Sequence, residues 1–327
     1  MDPLSDVLSL LKPRSYVSGG FDVGGAMAIQ FPAHLGIKCY AVSQGAGWLE
    51  VEGTGGPVRL TAGDCFLLPR GRPFRLATDL DVEPLDAMAM FAAKRAAAGG
   101  GSGGGHVLTH NGGGDVCIVG GHFALDGDYA EMLLGVLPPI VHIRREADRA
   151  VLRWSVERMM EELREPRPGG HLVVQHLAQM MLVQALRLHL AEGPSGGVGW
   201  LFALADKQMG AAIGAMHESP AHPWTLQTLA ERAGMSRSSF AQKFKATVGA
   251  SPMEYLTRWR MLVAGDRLAH SGDPVSVIAL SLGYESESAF STAFKRVMGC
   301  SPRRYGRGRA EAAASHAPAE MELEAAA

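Results

Sequence analysis

The chain has 327 residues, 47% of them hydrophobic and 20% charged, with a net charge of −2, so it is long enough for two soluble domains with their own cores. Its start, Met1-Asp2-Pro3, lacks the basic and apolar stretches of a secretory signal, and its most apolar helical stretch, 172–190, is interrupted by Gln175, His176, Gln179 and Gln184, which excludes a membrane span. Four cysteines (Cys39, Cys65, Cys117 and Cys300) fall at no metal-binding spacing, and a reduced cytoplasmic protein is expected.

Residues 1–93 read as short strands between glycine and proline turns: 26–31, 37–43, 48–52, 58–60 and 65–68, the pattern of a small sandwich or barrel. Gly63-Asp64-Cys65-Phe66-Leu67-Leu68-Pro69-Arg70-Gly71-Arg72-Pro73-Phe74 resembles the second motif of the cupin superfamily, with Phe74 where a metal-binding histidine stands. The first cupin motif with its His-x-His pair is absent and His34 stands alone, so no metal and no other cofactor is expected, and the domain reads as a binder of a small effector. Tyr40, Trp48, Phe66 and Phe74 are the candidate lining residues, with ordinary core packing as the competing reading.

The glycine-rich run 96–114 lacks the Gly-Lys-Ser/Thr of a phosphate loop and reads as a flexible surface loop. Residues 116–125 read as a strand pair, and 121–126 with Leu137-Pro138 resembles the cupin-type sensor half of a bacterial regulator group. Two helices are predicted next, over 148–164 and 171–192; the second is apolar on more than one face and needs cover on two sides, one of them a candidate subunit contact. The shift in composition at 193–198 marks a linker, and 200–217 is predicted as the first helix of a second domain. The Ala/Glu-rich tail 309–327 has no core pattern and is expected to be disordered.

The second domain contains one pattern twice. Residues 225–234 repeat at 274–283, and Ser236, Phe240, Phe244, Lys245, Gly249, Ser251, Pro252 and Tyr255 recur as Ser286, Phe290, Phe294, Lys295, Gly299, Ser301, Pro302 and Tyr305. Each copy reads as helix, tight turn, helix: Thr225 or Asp273 caps the first helix, Gly234 or Gly283 ends it, and Ser236 or Ser286 caps the second. A helix of about 253–271 joins the copies. Residues 199–310 carry 14 Lys+Arg against 8 Asp+Glu, whereas 1–198 carry 17 against 21, so positive charge is concentrated where a helix-turn-helix would meet DNA.

The second copy, from Val275 and Ile278-Ala279 through Gly283-Tyr284, Ser286, Phe290, Phe294-Lys295, Gly299 and Ser301-Pro302 to Tyr305, closely resembles the signature of the AraC/XylS family of bacterial transcription regulators. The resemblance implies two helix-turn-helix units on a rigid linker helix, reading neighbouring major-groove segments on one face of double-stranded DNA. The expected fold is α+β multidomain: a cupin-like β-barrel with two following helices in a sensor and dimerisation domain (1–192), a linker (193–198), and an all-α double helix-turn-helix domain (199–308). With Phe240 and Phe244 facing inward, helical spacing puts Ser238, Ala241, Gln242 and Lys245 outward, and Glu287, Ser288, Ser291, Thr292 and Lys295 in the second copy. Arg237, Lys243, Arg296, Arg303 and Arg304 are better placed for phosphates, Gln242 is suited to adenine, and Glu287 to a cytosine amino group or to the helix dipole. The expected partners are promoter DNA, RNA polymerase if the protein is an activator, a small effector and a second copy of the chain, with no membrane. A thiol-based redox regulator and a metal-dependent cupin enzyme fused to a DNA-binding domain remain as alternatives.

Overall fold

The computed structural model describes residues 2–11, 14–97, 107–125, 130, 135–165, 167–191 and 198–308. By their contacts they fall into two compact units: those within Pro13–Glu192, and those within Met1–Lys12 together with Gly193–Glu320. The glycines of 98–106, most of the linker and the tail from 309 lie outside the described residues.

The first unit is built on two sheets. Its strands are β1 (Arg14–Val23), β2 (Ala28–Phe31), β3 (Ile37–Gln44), β4 (Ala46–Val51), β5 (Val58–Thr61), β6 (Cys65–Leu68), β7 (Phe74–Ala77), β8 (Leu85–Asp86), β9 (Val107–His110), β10 (Val116–Ala124) and β11 (Val141–Ile143). One sheet runs β11-β6-β3-β10-β1-β9 and the other β5-β4-β7-β2-β8. Alternate residues face the space between them: Tyr40 and Val42 of β3 join Phe66, Leu68, Phe31, Phe74 and Ile118 in one apolar cluster. Cys39 and Ala41 point the other way, toward a layer of two helices, α3 (Glu146–Arg164) and α4 (Gly170–Ala191). Burial of Leu152, Met159 and Met160 on α3, and of Leu177, Ala178 and Met181 on α4, covers that face.

Several expectations are corrected here. Residues 3–11 form a helix, α1 (Pro3–Leu11), because Asp2 accepts from the Ser5 N–H at 3.1 Å and Pro3 opens the first turn. The alanine-rich 87–97 is likewise a helix, α2 (Ala87–Ala97), with Asp86 accepting from the Ala89 N–H. Within the expected loop 96–114, β9 pairs parallel with β1. The expected strand pair at 116–125 is the single strand β10, between β1 and β3. Its Gly120 is required by close approach: a Cβ there would lie 2.0 Å from the Cys39 carbonyl oxygen.

A buried carboxylate ties the helical layer to the barrel. Asp64, 2% exposed, accepts from the Thr61 N–H at 2.7 Å and from Arg149 of α3 at 2.6 Å, and lies 3.2 Å from His142. Burial alone would raise its pKa; the Thr61 and Arg149 hydrogen bonds outweigh burial and hold the carboxyl below its usual value.

The second unit is helical: α1 with α5 (Trp200–Ala203), α6 (Lys207–Glu218), α7 (Leu226–Arg232), α8 (Arg237–Val248), α9 (Pro252–His270), α10 (Val275–Ser281) and α11 (Glu287–Met298). The single helix expected over 200–217 is split, because Asp206 caps α6 by accepting from the Gln208 and Met209 N–H groups at 2.9 and 3.1 Å. No helix among the described residues is long and apolar enough to cross a membrane.

α1 packs against α6 and α9, where His217 is stacked on Trp259 with centroids 3.6 Å apart and rings 1° from parallel. Its Nε2 lies 2.8 Å from the Tyr255 hydroxyl, and its Nδ1 is 3.5 Å from the Asp6 carboxylate. Burial pushes this imidazole down to about 3. The unfolded chain therefore takes up a proton below about pH 6.5 that the folded unit refuses, and stability falls with pH from about 6.5 toward 3 by up to about 1.4 kcal/mol per unit. Urea unfolding followed by tryptophan fluorescence at pH 7 and pH 5 should show that loss, and His217→Phe, which cannot titrate, should reduce it.

Candidate DNA-binding surface

The two copies fold alike. Thr225 forms a reciprocal capping box with Thr228, Gly234 adopts φ +65°, and Ser236 accepts from the Ser239 N–H at the start of α8. In the second copy Gly283 adopts φ +79° and Ser286 accepts from the Ala289 N–H at the start of α11. The second turn is one residue longer, but both open with the same bond: the Met235 N–H donates to the Ala230 carbonyl at 2.9 Å, and the Tyr284 N–H to the Ala279 carbonyl at 3.1 Å. One expected cap is corrected. Asp273 does not cap α10; its carboxylate is taken by Arg267 at 2.7 Å, and Pro274 stands at the cap position without a side-chain bond.

Aromatic packing decides which face of each second helix is left out. Phe240 and Phe244 are fully buried with ring centroids 5.5 Å apart, and Tyr255 closes over Phe244 at 5.9 Å. Phe290 and Phe294 repeat this at 5.6 Å, with Tyr305 over Phe294 at 5.5 Å. Opposite them on α8, Arg237, Ser238, Gln242 and Lys245 are exposed and Ala241 is half-buried. On α11, Ser288, Thr292, Lys295 and Arg296 are exposed, with Glu287 and Ser291 half-buried. The Thr292 hydroxyl donates to the Ser288 carbonyl at 3.0 Å, and Glu287 accepts from Arg303 at 3.4 Å. Lys243 is already committed: its ammonium lies 2.6 Å from Asp206 and 2.9 Å from Gln208, tying α8 to the start of α6. Sequence reasoning counted Lys243 among free cations because the Asp206 cap had been read as helix interior.

In the barrel the four candidate lining residues do not share one wall. Tyr40 and Phe66 pack together at 5.7 Å, and Phe74 stacks on Phe31 at 4.4 Å, all within the core. Trp48 instead borders a narrow apolar cleft with Met27, Val42 and Ile118, and the Arg59 guanidinium lies 4.9 Å from the Trp48 ring. Lys38, which the sequence reading passed over, points inward beside Phe31 and Phe74, its ammonium 5.5 Å from each ring centroid and 6.0 Å from that of Tyr40. Burial pushes it down to about 8, and no carboxylate among the described residues forms an ion pair with it. His34, beside Phe74, is pushed down to about 4 by burial and then by Lys38. Among the described residues no three His, Cys, Asp or Glu side chains are grouped to hold a metal ion. Strand pairing brings together Cys39 and Cys65, which sequence spacing did not pair; their contact and burial push the Cys39 thiol well up. Burial also raises Cys117.

A cupin family profile matches residues 2–191, and a helix-turn-helix domain profile matches residues 229–308. Over 93% of this chain and 98% of the relative, the protein is 44% identical to one named as an AraC-like transcription regulator in Streptomyces antibioticus. A namesake in Streptomyces lividans is 43% identical over the same shares. It is also 30% identical, over 93% of this chain and 97% of the relative, to the RCS-specific HTH-type transcriptional activator RclR of Escherichia coli K12. The duplicated helix-turn-helix, the cupin domain before it and these full-length likenesses make this chain a member of the AraC-like, DNA-binding transcription regulators.

Proposed function

We propose that both recognition helices read bases, α8 through Ser238, Ala241 and Gln242 and α11 through Glu287, Ser288, Ser291 and Thr292, while Arg237, Lys245, Lys295 and Arg296 hold phosphates. The observation that carries this is the paired outward strip opposite Phe240–Phe244 and Phe290–Phe294. Most of these side chains are short, so much of the affinity is electrostatic, and Gln242 alone on α8 has an amide for bidentate pairing with adenine. With about five to eight phosphates engaged, log K should fall against log salt with a slope of about −4 to −7. Gln242→Ala should weaken the specific site by about 1–3 kcal/mol and relax one base pair, leaving non-specific binding and the slope alone. Lys245→Ala should weaken all DNA alike and make the slope shallower by about one. Equal losses on specific and random duplexes for Gln242→Ala, measured by fluorescence anisotropy, would remove α8 as a base reader.

The barrel serves as the sensor of a small effector, and the protein carries out no catalytic step. Supporting this are the apolar cleft beside Trp48 and, away from that cleft, the Lys38 ammonium held among rings without a counter-charge, which the anionic group of an effector would match. A series of small aromatic and aliphatic carboxylates should raise the melting temperature of the protein, and Lys38→Met should abolish the rise; a rise that survives Lys38→Met rejects this anchor. The thiol reading is favoured by the Cys39–Cys65 contact, but both thiols are fully buried, away from the electropositive, accessible setting in which thiolates react. Self-association is part of the proposal, since Trp154 of α3 and Leu172 of α4 are 63% and 59% exposed. Sedimentation of a monomer at micromolar concentration would count against it. If the regulator activates, RNA polymerase is its further partner, and the cytoplasm is where it acts.

A further inference from the structure

The two helix-turn-helix units have separate cores on different stretches of α9. The first, with Met209, Ile213, Leu229, Phe240 and Phe244, takes in Leu256, and Trp259 one turn on is stacked on His217 of the same unit. The second gathers farther along, where a Cβ on Gly265 would meet Tyr305 and Met298 at 3.4–3.5 Å. Among the described residues the apolar cluster of the first unit includes no residue of the second.

A polar clamp occupies the gap. Arg260, half-buried on α9, donates from Nε to the Pro220 carbonyl at 2.6 Å and from Nη2 to the His222 carbonyl at 2.9 Å. Both carbonyls belong to the segment that leads from α6 into α7. That segment is itself braced: the Trp224 indole donates to the Ser219 carbonyl at 2.9 Å, and His222 packs against Trp224 at 4.3 Å. On its other side the Arg260 guanidinium lies 5.7 Å from the ring centroid of Tyr284, in the turn of the second unit. Next to Tyr284, Gly283 is pressed onto the same segment, where a Cβ would stand 2.4 Å from the Ala221 carbonyl oxygen. A planar fork meeting two carbonyls while its face meets an aromatic ring is a task for arginine rather than lysine.

We infer that Arg260 is a positioning residue that fixes the spacing and phase of the two recognition helices, so that the protein selects the distance between its two DNA segments as well as their sequences. The inference rests on the reading that both helices contact bases. One inserted base pair moves the second segment by about 3.4 Å and turns it by about 35°, and a clamped pair of helices cannot follow both displacements at once. Without the fork the second unit is tethered by α9 and its own core and can adjust.

The test uses the full chain and a duplex selected by it from a random pool, with the two contacted segments located by footprinting. Versions of that duplex with one base pair inserted or removed between the segments are then compared. The wild type should lose about tenfold or more on either change, the size of one lost base contact, and Arg260→Ala should lose less than about threefold relative to its own best site. Arg260→Lys, which keeps the charge without the fork, should behave as Arg260→Ala does. Should Arg260→Ala lose its folded near-ultraviolet signal, Tyr284→Leu, which removes the ring from the other side, should relax the spacing in its place. Variants that weaken every spacing by the same factor overturn the inference and leave Arg260 a stabilising residue only. A single protected segment in the wild type overturns the two-helix reading itself.

Discussion

Two phenylalanines one helical turn apart, closed over by a tyrosine from a later helix, orient each recognition helix, and the rest of the DNA-binding unit is arranged around that lock. Phe240, Phe244, Phe290 and Phe294 are all fully buried, so rotating either helix about its axis would expose large aromatic surfaces to water. The tyrosines do more than cover the rings. Tyr255 also meets His217, linking the lock to α6 and α1, while Tyr305 lies against the backbone of α9 at Gly265. Because the inward face is so strongly specified, the opposite strip is specified with it, whatever residues it carries. A duplicated lock thus leaves evolution free to change the outer strip without disturbing the fold.

Charge is distributed with the same economy. Of the basic residues near the recognition helices, Lys243 and Arg303 answer acids of the protein itself, Asp206 and Glu287. The Asp206 pair joins two half-exposed side chains, and its main effect is to keep α6 and α8 in register rather than to add much stability. On the outward strips this leaves a small set of exposed cations, Arg237, Lys245, Lys295 and Arg296, flanking short polar side chains.

Legibility in the sequence followed the strength of local rules. The repeat was readable because caps, left-handed glycines and the phenylalanine spacing all recur, and each depends on neighbours within a few residues. The strands β3, β5 and β6 were readable within a residue from alternation and flanking glycines. Misreadings arose where one polar residue had two possible uses. Asp206 could lie inside a helix or cap one, and it caps; Asp273 could cap or pair, and it pairs with Arg267. Contacts across strands and between units stayed hidden for a different reason. Cys39 beside Cys65, Lys38 beside Phe74, and Arg260 reaching Pro220 are 26 to 40 residues apart in the chain, and no local pattern encodes them.

Strand β3 stands between the interior of the barrel and the helical layer. Its pleat sends Lys38, Tyr40 and Val42 into the barrel and Cys39 and Ala41 toward α3 and α4, so the layer between the barrel interior and the helices is one strand thick. On its β10 side the strand is closely packed, because the Cys39 carbonyl lies against Gly120 with no room for even a Cβ. At its far end β3 meets the Asp64 turn, where the Val42 N–H donates to the Asp64 carbonyl and the Asp64 carboxylate holds Arg149 of α3. The strand thus joins residues that face the barrel interior to a buried ion pair that anchors α3. Close packing and a desolvated charge pair both resist small continuous adjustments, so the helical layer is held to the barrel at this strand and its turn rather than through a loop.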